Sequence, residues 1–317
     1  MSQVMLETKD LKKYFKVKGG NLHAVDGVNI KINVGETLGV VGESGCGKST
    51  LGRAILRLHE PTDGEVLFNG KDVTKFSKKE LKAFRTQAQI IFQDPYSSLN
   101  PRMSVEEIIG EFMVVNKIYK TSHEIRKRTA ELMDIVGLAE RLATAYPHEL
   151  DGGRRQRIGI ARALSVNPQF IVCDEPVSAL DVSIQAQILN LLMDLQRDMG
   201  LTYLFITHDL SVVKHISKEI VVMYLGHCVE IAPSNELFKN PRHPYTKALL
   251  AAILTPKLSM RDKEIELIKG EITSPVNPLP GCRFAMRCPY ASEICSEPQT
   301  LTEVSPNHFV ACALPEK

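Results

Sequence analysis

The first residues of the chain that could do chemistry form a glycine-rich loop, "GESGCGKST", at residues 42–50. From Gly42 to Ser49 the loop satisfies the pattern G-x-x-x-x-G-K-[ST], between an apolar run and a helix-favouring segment. Glycines let backbone N–H groups turn inward around phosphate oxygens, and a helix N-terminus adds partial positive charge. Lys48 can reach the β- and γ-phosphates, and the Ser49 hydroxyl can ligate Mg²⁺. Instead of an ordinary glycine-rich turn, we predict a nucleoside triphosphate site at Gly42, Ser44, Gly45, Cys46, Gly47, Lys48, Ser49 and Thr50.

Two adjacent carboxylates follow a second apolar run, "FIVCDEP", at residues 170–176. Asp174 can hold Mg²⁺ through its water shell, and Glu175 is placed to act as the general base that polarises an attacking water. The alternative is an acidic strand end that faces solvent, which is common in α/β proteins. His208, in "ITHD", ends the next apolar run and is a candidate contact for the γ-phosphate, although a lone histidine is more often structural.

The elements that must position these residues alternate along the chain. Apolar runs bounded by Gly, Pro or Asp predict buried parallel strands of an α/β sheet at residues 37–42, 89–93, 169–176 and 202–209. Residues 229–238 predict a strand, a turn and a helix. Residues 104–146 favour helix and contain no strand candidate, so we expect a helical subdomain inserted into the sheet domain, over about residues 94–165.

Composition constrains the possible partners, the location and the domain boundaries of the chain. The 317 residues include 39 basic and 37 acidic side chains, so charge gives no argument for nucleic-acid binding. The start, "MSQVMLETKD", lacks the apolar core of a signal peptide, and no apolar run approaches the roughly 20 residues that span a bilayer. We expect a cytoplasmic chain unless a partner holds it at a membrane. Proline and charge at residues 256–280 predict a linker before a cysteine-rich extension at residues 281–317.

The motifs also resemble a known family. The phosphate loop, Gln93 after an apolar run, "LDGGRRQRIGIARAL" (150–164), "IVCDEP", "SALD" (178–181) and "ITHD" are similar in order and spacing to the ATPase subunit of ABC transporters. The resemblance covers about residues 5–255. It implies a P-loop NTPase core of the ABC ATPase type at residues 1–255, with the helical insert and a small cysteine-rich C-terminal extension.

The resemblance also implies a role for each matching residue. Phe15 or Tyr14 would stack on adenine, and we favour Phe15 from its register with the first strand. Asp181 would cross an interface between two such subunits. The implied catalytic residues are Glu175, His208, Gln93 and Lys48. The implied magnesium ligands are Ser49, Gln93 and Asp174. The implied contacts to the ATP of a partner subunit are Asp151, Gly152 and Gly153.

Finer resemblances narrow the subfamily. "QDPYSSLNPR" (93–102), "NPRHPYTKALLAAI" (240–253) and "GCRFAMRCPYASEIC" (281–295) look like importers of oligopeptides, dipeptides or nickel. They imply ATP-driven peptide import, with nickel or another small solute as the alternative. The expected partners are a second, different ATPase subunit, two membrane permeases and an extracellular peptide-binding protein, with no nucleic acid. We therefore expect a peripheral protein on the cytoplasmic face of the membrane.

Two other classes of function fit the sequence less well. A soluble ABC ATPase acting on DNA would carry a long coiled coil between the phosphate loop and the family's signature sequence, which is "LDGGRRQRIGIARAL" at residues 150–164 here. One acting on ribosomes would carry two ATPase domains. This chain shows neither feature. A binding subunit without activity is disfavoured because Lys48, Glu175 and His208 are all present.

The cysteine-rich tail leaves its chemistry open. Cys282, Cys288, Cys295 and Cys312 have the spacing C-x5-C-x6-C-x16-C, which matches neither common zinc folds nor ferredoxins. Some members of the resembled subfamily carry a [4Fe-4S] cluster here, which makes these four the candidate ligands. Reduced cysteines in a small cap, or zinc, are the alternatives.

The signature itself departs from the family at Asp151, where serine is usual, and at Arg154, where glutamine is common. An ionised carboxylate cannot donate a hydrogen bond to phosphate. At about 4 Å and a dielectric near 20 it would repel each phosphate charge by about 4 kcal/mol, which Arg154 and Arg155 could partly offset. The alternative is a simple N-cap of the following helix. We hypothesise that this loop forms a weakened ATP site against the phosphate loop of a partner subunit. The other site, built from Lys48, Glu175 and His208, should stay competent if the partner's signature is intact.

Overall fold

The computed structural model describes residues 3–252 and 273–313, which fall into two compact units. We call residues 3, 33–36 and 75–206 unit 1. The described parts of residues 4–32, 37–74 and 207–317 form unit 2. In chain order the strands are β1 (Val4–Val17), β2 (Gly20–Asn33), β3 (Thr37–Val41), β4 (Asp63–Phe68), β5 (Lys71–Asp72), β6 (Ala88–Ile91), β7 (Phe170–Asp174), β8 (Thr202–Ile206), β9 (Glu219–Tyr224), β10 (His227–Pro233), β11 (Thr302–Ser305) and β12 (His308–Val310). The helices are α1 (Lys48–Ile55), α2 (Lys78–Gln87), α3 (Val105–Val115), α4 (Ser122–Ile135), α5 (Gly152–Leu164), α6 (Val182–Met199), α7 (Leu210–Ile216), α8 (Ser234–Lys239) and α9 (Pro244–Ala251).

Unit 1 is built on parallel strands. β7 pairs in parallel with β6 on one side and with β8 on the other. Every residue of β7 and β8 is buried. Strands buried on both faces are written as continuous apolar runs, which is why these two were predictable from the sequence. The predictions of strands at residues 169–176, 202–209 and 89–93 are confirmed, but each strand ends earlier than predicted: β7 at Asp174, β8 at Ile206 and β6 at Ile91.

The helical part of unit 1 also follows local sequence signals. Ser104 caps α3 and Glu107 bonds back to it, and Thr121 and Glu124 do the same for α4. Such capping boxes satisfy backbone N–H groups that the first turn of a helix leaves unpaired. Both helices pack against each other and against α5. Residues 104–146 are all described and contain helix without strand, as predicted.

Unit 2 contains two sheets. In one of them, β3 pairs in parallel with β9, and β9, β10, β12 and β11 then pair antiparallel. The other is antiparallel, in the order β2-β1-β4-β5. The prediction of a strand at residues 37–42 is confirmed by β3, and that of a strand and a helix at 229–238 by β10 and α8, which follow each other without a turn.

The antiparallel sheet was not predicted, although β2 carries a signal for it. In "VNIKI", the side chains of Val28, Ile30 and Ile32 are buried, while those of Asn29 and Lys31 lie toward solvent. Alternation with a period of two residues is typical of a strand with one face on a core. The expectation of parallel strands alone was therefore too narrow.

The C-terminal part of unit 2 returns to its first strands. Of the predicted linker at 256–280, residues 256–272 lie outside the described residues. Just after them, the carbonyl oxygen of Pro275 accepts a hydrogen bond from the His23 N–H at 3.0 Å, and the Asn277 N–H donates to Asn21 O at 2.9 Å. Residues 275–277 therefore pair with the edge of β2 through a short antiparallel bridge. Among the helices described, none is long and apolar enough to cross a membrane.

A buried carboxylate joins three parts of unit 2. Glu230 lies on β10 with no exposed surface, and its Oε1 is 2.7 Å from Nε2 of the equally buried His308 on β12. Its oxygens also accept the backbone N–H groups of Arg242 and His243 at 2.8 and 2.9 Å, just before α9. Because a buried carboxylate is stable only when its oxygens are satisfied, these bonds fix the sheet and the helix together.

Glu230→Ala is expected to lower the free energy of unfolding by about 3 kcal/mol, because two backbone N–H groups and a histidine would stay buried without their acceptor. The measurement is equilibrium unfolding in guanidinium. Glu297→Ala, at an exposed glutamate, is the control and should change stability by less than about 0.5 kcal/mol. Equal stability of the two variants would contradict the assignment.

Candidate nucleotide site

The predicted phosphate loop lies in unit 2 between β3 and α1, as its motif requires. Gly47, the N-cap of α1, has a φ of 105°, and a Cβ there would lie 1.9 Å from the carbonyl oxygen of Ala24. Only glycine fits this position. The Gly226 N–H donates to the Cys46 carbonyl oxygen at 2.8 Å, so neighbouring backbone supports the loop.

Lys48 is folded back onto the loop that precedes it. Its side chain is nearly enclosed, at 4% exposure, and its Nζ donates to the carbonyl oxygens of Gly42 at 2.8 Å and Glu43 at 3.0 Å. The ammonium group is therefore held beside the loop backbone that phosphate oxygens would approach. Ser49 and Thr50 follow in the first turn of α1.

A cavity of about 230 Å³ adjoins the loop. Burial raises the pKa of the Cys46 thiol, and the Lys48 ammonium group lies 3.8 Å from its Sγ. The cavity is lined by Glu43, Ser44, Gly45, Cys46, Tyr224, Leu225 and Pro275.

In unit 1, two of the predicted catalytic residues are in contact. Gln93 Nε2 donates to Glu175 Oε2 at 2.9 Å, although 82 residues separate them. Asp174 is fully buried at the end of β7, and Glu175 follows at 8% exposure with a φ of 48°. A positive φ is strained for a residue with a side chain, and such strain concentrates at functional sites. The Glu175 N–H donates to Ile206 O at 2.9 Å, which holds this backbone turn.

The other residues of unit 2 that were predicted to contact ATP are more exposed to solvent than Lys48. His208 is exposed, in the short connection before α7. The Phe15 ring, on β1, meets His59 edge-on at 5.4 Å between ring centroids, and the Lys13 ammonium lies 4.8 Å from its centroid. Tyr14, the alternative for adenine stacking, is already stacked on a histidine: its ring lies 3.9 Å from that of His23.

The N-cap interpretation of Asp151 is confirmed. Its Oδ1 accepts the Arg154 N–H at 2.8 Å, and its Oδ2 lies 3.5 Å from the Arg154 guanidinium. Arg155 instead donates through Nε to Pro147 O at 2.7 Å. One N–H at the start of α5 is therefore already taken by this carboxylate. A Cβ at Gly153 would lie 2.8 Å from Ile184 Cγ2, so α5 and α6 approach closely here. Asp181 is the exposed N-cap residue of α6.

The four tail cysteines line a single cavity in unit 2, together with His243. Burial raises the pKa of the Cys282 thiol to about 11, and the nearby thiols of the set reinforce the shift. His243 Nδ1 accepts the Tyr245 N–H at 3.1 Å, which places the imidazole proton on Nε2. Across residues 3–252 and 273–313, no three or more His, Cys, Asp or Glu side chains are arranged to hold a metal ion.

The side chains of Tyr245 and Arg287 hold the phosphate loop from outside, and neither role was predicted from the sequence. The Glu43 N–H donates to the Tyr245 hydroxyl at 2.8 Å, and the Glu43 carboxylate accepts two hydrogen bonds from Arg287, at 2.8 and 3.0 Å. Separations of 202 and 244 residues leave no local pattern that could have indicated these contacts.

With this geometry in place, comparison with known proteins identifies the family. The model of the ABC transporter family matches residues 25–178, and that of the oligopeptide/dipeptide transporter C-terminal region matches residues 229–295. The oligopeptide transport ATP-binding protein OppF of Salmonella typhimurium is 51% identical, over 98% of this chain and 96% of its own. The chain belongs to the ABC transporter ATP-binding proteins.

Other ABC transporter proteins agree. The oligopeptide transport ATP-binding protein AppF of Bacillus subtilis is 50% identical, over 98% of both chains. The ATP-binding cassette MJ0796, solved as a dimer in a post-hydrolysis state with ADP and phosphate, matches with a TM-score of 0.67 and 31% identity, over 73% of this chain and 99% of its own. The match to the ABC transporter model spans the phosphate loop, Gln93, Asp151 and Glu175, whereas Phe15 lies before it.

Proposed function

We propose that the chain is the ATP-hydrolysing subunit of a transporter that imports peptides, bound to the cytoplasmic face of the membrane. The observation that carries the hydrolytic role is the hydrogen bond from Gln93 to Glu175, directly after the buried Asp174. Peptide as the substrate class is supported by the names of relatives that are about half identical over the whole chain. Nickel or another small solute is the alternative substrate.

In this proposal each residue of the site has a separate role. Lys48 and the backbone N–H groups of residues 42–50, other than those of Glu43 and Cys46, bind the phosphates. Glu175 accepts a proton from the attacking water, with its carboxylate oriented by Gln93, and His208 donates to the γ-phosphate. Phe15 stacks on the adenine.

Magnesium is the metal proposed for this site, and the residue types proposed as its ligands suit it. Ser49, Gln93 and Asp174 offer hydroxyl, amide and carboxylate oxygens, the ligands that Mg²⁺ prefers, and the carboxylate of Asp174 is withdrawn from solvent. When bound, the ion would neutralise charge on the phosphates.

The partners proposed are those of a complete importer: a second, different ATPase subunit, two permeases and an extracellular peptide-binding protein. Asp151, Gly152 and Gly153 would face the ATP held by the second ATPase subunit, with Asp181 at the same interface. The dimer formed by the similar cassette MJ0796 supports a paired arrangement. The near balance of charge gives no support to a nucleic-acid partner.

Glu175→Gln is expected to lower ATP turnover at least 100-fold in the transporter recovered through a tag on this chain, since an amide cannot accept the proton of the water. Binding of ATP should persist. Glu140→Gln, at an exposed glutamate of unit 1, is the control and should leave turnover unchanged. Full turnover by Glu175→Gln, or recovery of ribosomes or DNA instead of permeases, would overturn the proposal.

The two ATP sites of the pair are proposed to be unequal because of Asp151. Its carboxylate occupies the Arg154 N–H, a group that a phosphate would use, and brings negative charge to the same place. With 60% of the side chain exposed, solvent weakens the repulsion, and the Arg154 guanidinium at 3.5 Å offsets part of it. The signature loop would therefore serve its partner's ATP poorly.

Asp151→Ser is expected to leave turnover in the assembled transporter equal to that of the parent or to raise it. Serine keeps the N-cap, so the stability of α5 is preserved while the charge is removed. Turnover is measured beside Asp134→Ser, at an exposed aspartate of α4, which should have no effect. If Asp151→Ser eliminates turnover, the carboxylate has a positive role and the two sites are not unequal in this way.

A [4Fe-4S] cluster at Cys282, Cys288, Cys295 and Cys312 stays a prediction. In its favour, the thiols share one cavity, and His243 Nε2 is buried there without a hydrogen-bond partner among the described residues. An N–H in that position can donate to a thiolate or sulfide. Against it, the described side chains are not arranged as metal ligands. Zinc or reduced thiols are the alternatives.

If the cluster forms, protein purified without oxygen is expected to be brown, with visible absorbance and with iron and sulfide in equal amounts. Cys295→Ser should then lose both colour and iron. Colourless protein that retains zinc would support a zinc site. Colourless protein that retains no metal would leave the cysteines as a reduced cap.

A further inference from the structure

A short loop near the C-terminus, residues 282–288, is anchored at several points in unit 2. Phe284 lies at its centre and is buried, with its ring edge-on to that of Tyr224 at 5.2 Å. Arg283 forms an ion pair with Asp26 on β2. Cysteines that line the shared cavity begin and end the loop. These contacts fix the backbone of the loop, and they therefore also fix the position of Arg287, three residues after Phe284.

That arginine, Arg287, reaches the phosphate loop. Two of its guanidinium nitrogens donate to the two carboxylate oxygens of Glu43, at 2.8 and 3.0 Å, and one also donates to the Tyr224 hydroxyl at 3.2 Å. The side chains of Arg287 and Glu43 are 7% and 25% exposed, so water screens the pair weakly. Two parallel hydrogen bonds to a carboxylate are the strongest arrangement that arginine offers.

Glu43 is held at each of its polar groups. Besides the Arg287 pair, its N–H donates to Tyr245, and its carbonyl oxygen accepts both Lys48 Nζ at 3.0 Å and the Cys46 N–H at 3.2 Å. A displacement of Glu43 would therefore move the backbone that positions the Lys48 ammonium group. The Arg287 side chain is linked to the phosphate-binding lysine through a single intervening residue.

Charge gives the contact a second effect. Glu43 is an acidic residue within a loop whose ligand is strongly anionic. Without a cation beside it, its carboxylate would repel the phosphates, and the low exposure of the pair would leave that repulsion poorly screened. Arg287 neutralises Glu43 and at the same time fixes its position.

We propose that Arg287 is a positioning residue of the nucleotide site, which makes ATP affinity depend on the loop at residues 282–288. This inference rests on the proposed role of residues 42–50 as the phosphate loop. Arg287 acts through Glu43 and does not touch the reacting atoms. Its contribution is to binding of the phosphates, so it affects the ATP requirement of the reaction more than the rate at saturation.

The test is Arg287→Gln in the full chain. The ATP concentration for half-maximal turnover of the assembled transporter, and the Kd of a fluorescent ATP analogue for the purified subunit, are expected to rise about tenfold, while turnover at saturating ATP changes less than about twofold. Arg287→Lys keeps the charge without the paired hydrogen bonds and should raise both constants about threefold. Unchanged constants in these variants would overturn the proposal.

A double variant tests whether Arg287 acts through Glu43. Glu43→Gln combined with Arg287→Gln removes both charges, and it is expected to restore the Kd to within about threefold of that of Glu43→Gln alone. A Kd for the double variant as high as that of Arg287→Gln would show that Arg287 does not act through Glu43. If Arg287→Gln fails to fold, the Arg287→Lys and double variants decide by the same criteria.

Two controls distinguish this inference from the proposed function. Arg197→Gln removes an arginine from exposed ion pairs on α6 and should change neither constant. Lys48→Ala should abolish binding of the analogue. Binding retained by Lys48→Ala would refute the phosphate loop itself, whereas its loss together with wild-type constants in the Arg287 variants would refute the role of Arg287 alone.

Discussion

A loop that offers most of its backbone N–H groups to an anion has few left for hydrogen bonds within itself. This constraint explains why the loop at residues 42–50 is supported from outside. Gly226 bonds to the carbonyl oxygen of Cys46, and Gly47 lies so close to Ala24 that no side chain fits. The groups that give this support come from β2, β9 and the residues after them, so the antiparallel and mixed sheets of unit 2 are part of the nucleotide site and not only its frame.

In the signature loop, by contrast, a side chain of the loop itself bonds a backbone N–H group that an anion could use. Asp151 satisfies an N–H at the start of α5 with its own carboxylate, which stabilises the helix but leaves less for an external anion. A serine can cap a helix and also donate a hydrogen bond, whereas an ionised aspartate can only accept. Because serine and aspartate are about equally good N-caps, replacing serine by aspartate would keep the helix capped and, in the proposal above, would weaken anion binding alone.

Local signals predicted those parts of the molecule whose physics is local. The buried strands β7 and β8 are continuous apolar runs and were predicted. Helix was predicted for residues 104–146, although the capping boxes at Ser104 and Thr121 that begin α3 and α4 were not. The phosphate loop and the carboxylates could be predicted because their chemistry needs particular residues at fixed spacing. The family resemblance implied that Gln93 and Glu175 are both catalytic residues, but the hydrogen bond between them was not predicted. The antiparallel sheet was missed because β1 alternates poorly, since several of its residues are only partly buried.

The C-terminal contacts could not have been predicted, because they join residues more than 200 positions apart through ordinary side chains. Composition changes abruptly after residue 254, and this change predicts a boundary there. The physical connections cross it: Pro275 extends β2, β12 pairs with β10, and Arg287 neutralises Glu43. A partly buried ion pair is costly unless both partners are held, and here the core around Phe284 holds one partner while the phosphate loop holds the other. Stability of the C-terminal segment and the geometry of the nucleotide site therefore depend on the same few bonds.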